Sequence, residues 1–599
     1  MYHQEILTPL KMYRSFLRNE HAGNSVEAFD ELFRRSGVDP AANAALVKVI
    51  RKLEKEIARV KARLSGWKVF RAGMILVAAA GVVGFAMWLL QLSGQSEFGI
   101  PVPVGIGGGV VAILATVLIF TVLNKKIGLF EALVADRERE VQARRGEAWA
   151  AMAPLNQLYQ WDTMASIVMK TMPILVIDRY VSEARILQLY ESFGWMPGRD
   201  NTISTLTCQS GTVNGNPWVI TEELHQQWDV KTYTGTLLIS WQEWERYTDP
   251  RGKSRSRLVT KTELLTAAVE KPIPVYRKSK RLIYGNEGAP DLNFSREPNP
   301  LSRADAGFWG RRKLKKAIAE LEEKSRDADN TFTIMDNREF DACFNAVDRD
   351  HEVQFRLLFT PLAQQEMLKL LRDQKTGYGD DFHFRKRGMV NILHSEHLDR
   401  MDISAAPGLF QNYDLGAARK EFIAYSNEFF RCLFFSFAPL FCIPLYQQHR
   451  NFQDIYQGVI DSGEVSSFEY EALSNTIGES RFQPAGAATR SILKTGIAAR
   501  SGEDVVLTVS AYAFRQEERV EYVPRHGGDG RWHNVPVHWV EYLPVSRETS
   551  LVVCHAGTGD SLEFAEQLLA PEWKERLRVL GGDQATPYFR RGLAAFDRL

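Results

Sequence analysis

Two groups of side chains in the middle of the sequence have the residue types of metal ligands. His394 and His397 stand three residues apart near the end of a predicted strand, and imidazole is a common zinc ligand. An earlier acidic turn consists of Asp348, Asp350, His351 and Glu352. This turn lacks the glycine and the ligand spacing of a calcium loop, and no third ligand is spaced to complete a histidine site. We therefore expect no metal site and no cofactor.

A serine near the end of the chain has the neighbours of a nucleophile. Gly559-Asp560-Ser561-Leu562 resembles the signature of the lipase and esterase family named for these four letters, in which a histidine follows the serine. Here 37 residues follow Leu562, and none of them is a histidine. Asp560 and Glu563 stand instead at the spacing of a helix capping box. We assign no catalytic residue, and a hydrolase that uses Ser561 is kept as an alternative.

Two uncharged apolar runs organise the rest of the chain. Residues 72–92 and 98–123 are each long enough to cross about 30 Å of hydrocarbon as a helix, so they predict a transmembrane hairpin within residues 72–123. Eight Lys and Arg residues lie within 51–71 and six within 125–145, whereas residues 93–104 contain none. This bias places both ends of the hairpin, and both termini, in the cytoplasm.

A glycine cluster opens the second apolar run. It follows no predicted strand, so it lacks the context of a nucleotide-binding loop. Small residues four apart let helices approach closely in lipid, and we expect Gly105 and Gly109 to pack against Ala80 and Gly84.

The helix before the first span predicts a stalk. An apolar seam at alternating spacings of four and three consists of Leu46, Ile50, Leu53, Ile57, Val60 and Leu64. This spacing is typical of a coiled coil, and an amphipathic helix that rests on the protein's own body is the alternative. The second membrane helix is expected to continue toward Pro154 and to be the nearest partner for the seam, with homo-oligomerisation as the competing use.

An exposed basic turn is predicted between two strands. It contains Arg251, Lys253, Arg255 and Arg257. An anionic-lipid or nucleic-acid binder that uses this turn is therefore an alternative function. No aromatic residues are interleaved with these cations, as a binder of single-stranded nucleic acid would need, so lipid is favoured over nucleic acid. Because the domain is tethered to a membrane, anionic lipid is the alternative partner for this turn.

Net charge and cysteine usage restrict the expected partners and the expected compartment of the protein. Lys and Arg number 74 and Asp and Glu number 73, so the net charge of +1 creates no overall attraction for a polyanion. The five cysteines are widely spaced and are expected to be reduced core residues in the cytosol.

The patterns together predict an α+β protein with a transmembrane helical hairpin, a helical stalk and two mixed α+β cytoplasmic modules. The predicted segments are an N-terminal helical segment (1–40), a coiled-coil helix (41–71), the hairpin (72–123), the stalk helix (124–175), a strand-rich module (176–300), a charged connector (301–330), a second module (331–415), an apolar helical segment (416–450) and a C-terminal α+β domain (451–599). The apolar run 432–446 is short and contains two prolines, so we expect it to be buried or to lie on the membrane surface.

Residues 331–402 carry a family resemblance. A charged turn with Glu339-Phe340, a predicted strand over 353–359, Thr360-Pro361, a helix and two paired strands follow one another there, and the earlier Gly215-Asn216-Pro217 fits the same pattern. Over roughly residues 70–400 the chain resembles the bacterial membrane-protein family called domain of unknown function 3137. The resemblance implies an inner-membrane protein with two spans ahead of the module, and it implies no catalytic residues.

The sequence thus predicts a membrane-anchored cytoplasmic scaffold or binding protein. Its expected partners are the lipid bilayer, a protein that the sequence does not identify, and a second copy of the chain.

Overall fold

A computed structural model describes residues 6–92, 101–198, 200–248, 250, 253–302, 307–326, 332–377, 379–448, 464–501, 504–555 and 588–597. It is a mixed α+β structure, as predicted, with 50% helix and 31% strand. The chain forms two compact units. The first, which we call the body, contains residues 1–27, 160–406 and 424–599, and the second, which we call the rod, contains residues 28–159 and 407–423.

The α-helices are α1 (Pro9–Met12), α2 (Arg18–Ser36), α3 (Pro40–Leu92), α4 (Val102–Leu118), α5 (Asn124–Asn156), α6 (Thr163–Thr171), α7 (Glu183–Phe193), α8 (Phe308–Arg326), α9 (Arg338–Phe344), α10 (Glu352–Leu358), α11 (Pro361–Arg372), α12 (Glu396–Arg400), α13 (Leu415–Phe441), α14 (Ser467–Ile477) and α15 (Glu479–Phe482). Two π-helical turns, Tyr13–Leu17 and Ile119–Leu123, join neighbouring helices.

The strands are β1 (Leu175–Ile177), β2 (Ile203–Val213), β3 (Asn216–Thr248), β4 (Ser254–Gly285), β5 (Asn293–Arg296), β6 (Phe382–Arg387), β7 (Val390–Ser395), β8 (Ile492–Ser501), β9 (Asp504–His526), β10 (Trp532–His555), β11 (Tyr588–Arg590) and β12 (Leu593–Asp597). They form two antiparallel sheets, with orders β1-β2-β3-β4-β7-β6-β5 and β11-β12-β10-β9-β8.

The rod is built on one unbroken helix. Helix α3 runs for 53 residues, and its first turn is capped by Asp39, whose Oδ1 accepts a hydrogen bond of 2.8 Å from the amide of Ala41. The predicted seam packs against α5: Ile50, Leu53 and Ile57 share one buried cluster with Val141 and Ala148. The seam therefore has a partner within the same chain, and its coiled-coil geometry stays a prediction.

Two helices in the described residues, Pro40–Leu90 and Pro103–Asn156, are long and apolar enough to cross a membrane. Only 6% and 22% of their most apolar windows are buried inside the protein, so these helices do not form a protein core. This exposure favours membrane association, since lipid can cover the exposed Leu, Val and Ile side chains.

The seven-stranded sheet of the body corrects the predicted division into separate modules at 176–300 and 331–415. Strand β4 pairs with β7 in the register Leu282↔Leu393, so the later strands complete the same sheet. The predicted strand over 353–359 is also wrong, because this segment forms helix α10. Phe355 and Leu358 are buried while Val353 is 82% exposed, which is the periodicity of a helix and not of a strand.

The apolar run 432–446 lies inside the body. Its Phe434, Phe437 and Tyr446 side chains are buried, and Phe437 meets the ring of Trp218 at 5.3 Å. Within the described residues this run is not one of the candidate spans, and the prediction of burial is confirmed.

A buried ionic cluster joins the last two strands to the rest of the body. Glu469 on α14 accepts a hydrogen bond of 2.8 Å from Arg590, and Arg591 lies 3.8 Å away on its other oxygen. Burial by itself would raise the pKa of Glu469, but the two guanidinium groups outweigh it and hold that pKa below its usual value. Arg591 also donates to the carbonyl of Cys208, so one carboxylate and two arginines connect β11, α14 and β2.

Candidate binding arm

Two long β-hairpins extend from the sheets of the body. Strands β3 and β4 have 33 and 32 residues, and their register is continuous from Trp218↔Tyr284 to Thr248↔Ser254. Strands β9 and β10 have 23 and 24 residues and form the second hairpin, whose turn lies at residues 527–531 and contains three glycines. We call these two hairpins together the arm.

The inner faces of the two hairpins pack on each other. Side chains at odd positions of β3 and β4 form a buried cluster with β10, and its fully or nearly fully buried members are Ile239, Leu265, Ala267, Val535 and Val537. Polar contacts flank the cluster. The amide of Gly528 donates to Glu263 over 2.6 Å, and Lys271 pairs with Glu521 at 2.6 Å. These contacts make the arm a unit of two layers. The inner faces of the two hairpins are buried against each other, and the opposite face of each hairpin is directed outward.

Gly235 sits where the two backbones are closest. A Cβ atom at this position would lie 2.0 Å from the carbonyl oxygen of Pro536 and 2.9 Å from the Cα of Val537. No L side chain fits there unless the hairpins separate. The glycine is therefore required by the close approach of the two layers.

The opposite side of the first hairpin is the outer face. It comprises eight cross-strand pairs of exposed side chains at even positions: Val230, Thr232, Thr234, Thr236, Leu238, Ser240, Gln242 and Trp244 on β3, and Leu258, Thr260, Thr262, Leu264, Thr266, Ala268, Glu270 and Pro272 on β4. Glu270 is the one charged residue among these sixteen, whereas 25% of the whole chain is charged. An exposed surface with so few charges is typical of an interface.

Large apolar side chains on the outer face stand in cross-strand pairs. Leu238 faces Leu264, with exposures of 68% and 58%, and Trp244 faces Leu258, with exposures of 69% and 48%. Directly opposite apolar side chains contact each other and form continuous patches. The outer face thus offers two apolar patches separated by Ser, Thr and Gln side chains.

The predicted basic turn lies at the tip of the first hairpin, and it is mostly strand. Arg255 and Arg257 belong to β4, where they stand opposite Tyr247 and Glu245, and Lys253 is an exposed residue just before the strand. Arg251 lies outside the described residues. The Arg257 guanidinium pairs with Glu245 at 2.8 Å and lies 5.4 Å from the ring of Tyr247.

The prediction that aromatic residues are absent from this basic segment is corrected by the pairing. Tyr247 of β3 stands opposite Arg255 and on the same face of the hairpin as Arg257, which the linear spacing of 251–257 alone does not show. Among the described residues of the tip, four cations and two aromatic side chains are exposed, namely Arg246, Lys253, Arg255, Arg257, Trp244 and Tyr247, so the tip is a basic and aromatic surface.

The predicted helix contact in the membrane hairpin forms at shifted residues. A Cβ at Gly105 would meet the Trp88 ring, one at Gly109 would lie 2.9 Å from the Phe85 ring, and one at Gly81 would lie 2.5 Å from the carbonyl oxygen of Gly108. Gly105 and Gly109 therefore face α3 as predicted. The choice of Ala80 and Gly84 is wrong, because Ala80 is exposed and a Cβ at Gly84 would meet nothing within 4 Å.

The histidine pair has structural contacts. His394 bonds through Nδ1 to the carbonyl of Lys280 at 2.8 Å, and His397 donates from Nε2 to the carbonyl of Gly377 over 2.9 Å. Asp348 and Asp350 accept hydrogen bonds from the β5 residues Ser295 and Asn293. In the described part of the chain no group of three or more His, Cys, Asp or Glu side chains could hold a metal ion. Ser561 lies outside the described residues.

A buried carboxyl group beside His397 was not singled out by the sequence. Asp381 Oδ2 lies 3.5 Å from His397 Nε2, and both side chains are almost inaccessible to solvent. Burial, with the nearby charge of Glu396, raises the pKa of Asp381 to about 7, and burial lowers the pKa of His397 to about 4. Near pH 6 both groups are therefore mainly neutral, and the contact is not an ion pair.

No family model matches the chain, and no curated protein or solved structure matches it either. The resemblance to the membrane-protein family of unknown function therefore stays a prediction.

Proposed function

We propose that this chain is a membrane-anchored cytoplasmic scaffold, held in the bacterial inner membrane by α3 and α4, whose arm binds protein. The observation that supports this proposal most directly is the outer face, a row of exposed and almost uncharged side chains on β3 and β4. The distribution of Lys and Arg around the two apolar helices supports cytoplasmic termini, and therefore a cytoplasmic arm.

The partner that we propose for the outer face is a second copy of the chain. Two-fold pairing places each residue against the same surface on the other copy, so a face with many charges would repel itself. The outer face has a single charge, Glu270, near one end, and its centre lies among Thr236, Leu238, Leu264 and Thr266. Self-pairing would bring together apolar and hydroxyl side chains without burying like charges at the centre.

The dimensions of the outer face suit association between membrane-anchored molecules. The eight outer-face residues of each strand are spread over a length of about 45 Å, and the two strands together are about 10 Å wide. Each copy would therefore bury a surface of roughly 500 Å². Two copies would reach the roughly 1,000 Å² expected of a specific interface, at its lower end. Anchoring in one membrane raises the local concentration of the arms and favours such a modest interface.

Cysteine cross-linking tests this pairing. The five native cysteines are buried, so a new surface cysteine is the accessible thiol among the described residues. We expect Thr236→Cys, at the centre of the outer face, to give a disulfide-linked dimer of the full-length protein in membranes. Glu245→Cys is the matched control, since it lies exposed on the other face of the same hairpin, and it should stay monomeric.

A second pair of variants separates association from chance collision. Leu238→Glu combined with Leu264→Glu should abolish the Thr236→Cys cross-link, because four carboxylates would then meet at the centre of the interface. Equal cross-linking at Thr236→Cys and Glu245→Cys, or cross-linking that persists with both glutamates, would contradict self-association. Stable binding of a different protein to the outer face would also contradict it.

A second candidate function, binding of an anionic lipid surface, is favoured by the hairpin tip. Tyr247, Arg255 and Arg257 are exposed on one face of the tip and Trp244 and Arg246 on the other, so both faces combine an aromatic ring with cations, as suits the interface of an acidic membrane. We expect Arg255→Glu with Arg257→Glu to abolish binding of the detergent-free protein, in nanodiscs, to acidic vesicles. Lys313→Glu with Lys315→Glu on α8 makes the same charge change and should not. Unchanged binding after reversal at the tip would exclude this function.

A further inference from the structure

A basic groove on the rod lies between α3 and the start of α13. Its volume is 840 Å³, and its floor includes Ala44, Val47 and Leu415. Asn43 fixes the two walls, because its buried side chain donates to the carbonyl of Tyr413 over 2.8 Å and accepts from the amide of Leu415 over 3.0 Å. The groove is therefore a formed concave site within one unit of the protein.

Cations line one wall of the groove in a regular row. Lys48, Lys52, Lys55 and Arg59 are all exposed, and their spacing of four, three and four residues places them on one face of α3. No carboxylate in the described part of the chain lies within 4.0 Å of these four side chains. The row covers about 16 Å of helix, and adjacent side chains of such a row are about 6 Å apart.

The acidic residues of the groove weaken this positive field only in part. Asp414 already accepts hydrogen bonds from the amides of Gly416 and Ala417 through Oδ1, and its Oδ2 pairs with Arg51 at 2.5 Å. Glu56 is the other acidic lining residue, against six Lys and Arg residues in the lining as a whole. Since the net charge of the chain is only +1, this local excess of cations is a property of the site.

We propose that this groove binds an extended anion that carries several phosphate groups. Ammonium and guanidinium groups at one-turn intervals match a chain of anionic groups better than a single small anion, and Lys is a common point-charge partner of phosphate. The groove is an independent site from the outer face of the arm, and it does not depend on the proposed self-association.

The position of the groove along α3 indicates the source of the phosphate. The uncharged run begins at Ala72, which is 13 residues and about 20 Å beyond Arg59 on a continuous helix. The headgroup layer on each side of a bilayer is only about 5 to 8 Å thick. The headgroups of the membrane that holds α3 therefore lie too close to Ala72 to reach the groove. A soluble phosphate compound is the favoured ligand.

Binding of inorganic tripolyphosphate to the full-length protein in neutral-lipid nanodiscs tests the proposal. We expect saturable binding by calorimetry that weakens as salt is raised, and at least a tenfold weaker affinity for the triple variant Lys48→Gln, Lys52→Gln, Lys55→Gln. The matched control is Lys313→Gln, Lys315→Gln, Lys316→Gln on α8, which removes the same charge and should bind as the wild type does. An unchanged affinity in the groove variant, or an equal loss in the control, would overturn the proposal.

A second arm of the experiment separates the two sources. If the ligand is soluble, nanodiscs that contain phosphatidylglycerol should leave the affinity of the groove for tripolyphosphate unchanged at constant salt. If headgroups occupy the groove, the same lipid should compete with tripolyphosphate in the wild type and in the α8 control alike. Absence of tripolyphosphate binding in neutral nanodiscs would contradict a phosphate site altogether.

Discussion

At the scale of single residues, the buried carboxyl group of Asp381 makes stability depend on pH. Its pKa is raised to about 7 in the folded protein, whereas an unfolded aspartate titrates near 3.8. Between these values the folded state binds the additional proton, so stability falls as pH rises from about 4 to about 7 and stays low above it. Below pH 4 the group is protonated in both states and contributes nothing.

Asp381→Asn should remove this dependence, because the amide is neutral at every pH. We expect the variant to be more stable than the wild type by roughly a few kcal/mol at pH 8, and by clearly less at pH 5. Thermal unfolding of the full-length protein in detergent at the two pH values measures the difference. Asp399→Asn changes an exposed carboxyl group nearby and serves as the control. A stabilisation that is equal at both pH values would contradict the assignment.

The residue scale is also where the sequence was least informative. Glu469 and Arg590 are separated by 121 residues, and no local pattern relates them, so their buried pair emerges only when α14 meets β11. At Val353 and Phe355 a local pattern exists, but it indicated the wrong element. The alternation of large and polar residues there predicted a strand, whereas burial of Phe355 with Leu358 follows helical spacing.

At the scale of elements, the packing of the two hairpins depends on one glycine. Gly235→Val would place side-chain atoms against the backbone of Pro536 and force the layers of the arm apart. We expect faster hydrogen exchange in β9 and β10 near Val537, with little change in β2, β6 and β7, which pair with β3 and β4 or with each other away from the arm. Gly496→Val on β8, where a Cβ would meet nothing within 4 Å, is the control. Unchanged exchange in β10 would show that the close approach is not required.

The seam of α3 supports a second prediction at this scale. Leu53→Asp with Ile57→Asp would bury two carboxylates against Val141 and Ala148, which should destabilise the rod by several kcal/mol. Limited proteolysis should then cleave α5, while the mass of the protein in detergent stays the same, because the partner of the seam is in the same chain. Ala58→Asp with Ala62→Asp adds the same charges at exposed positions and should have little effect. A fall in mass would indicate pairing between chains.

Elements were predicted from the sequence where one local period determines them. The seam of α3, the two apolar helices and the turn at 527–531 are each specified by residues a few positions apart. The length of β3 and β4 was not predicted, because their paired residues are up to 66 positions apart in sequence, from Trp218 to Tyr284, and their two faces have different partners. In the middle of the hairpin the even positions are solvent-exposed and odd positions such as Ile239 and Leu265 face β10, which no single-strand pattern specifies.

At the scale of the whole molecule, the proposed orientation makes a prediction for reporter fusions. We expect an enzymatic reporter to be cytoplasmic when fused after Asn124 and when fused after Leu599. Lys and Arg residues precede the first apolar helix and follow the second, and the apolar run 432–446 is buried in the body. A reporter inserted within residues 93–100 should be periplasmic. A periplasmic result at Leu599 alone would mean a third crossing and would contradict the proposed topology.

Because α3 is one continuous helix, the directions in which residues at its two ends face are fixed relative to each other. Ile57 faces α5 and Gly81 faces α4, and no break between them lets one contact turn independently of the other. Each residue of a helix adds about 100° of rotation and 1.5 Å of rise. One alanine inserted after Ser65 should therefore turn one contact face away from its partner helix and destabilise the rod. Seven alanines add nearly two complete turns and keep both faces directed at their partners, although one contact shifts by two turns along α5, so they should destabilise the rod less. The angle of rotation between Ile57 and Gly81 along α3 therefore matters more for the stability of the rod than the distance between them.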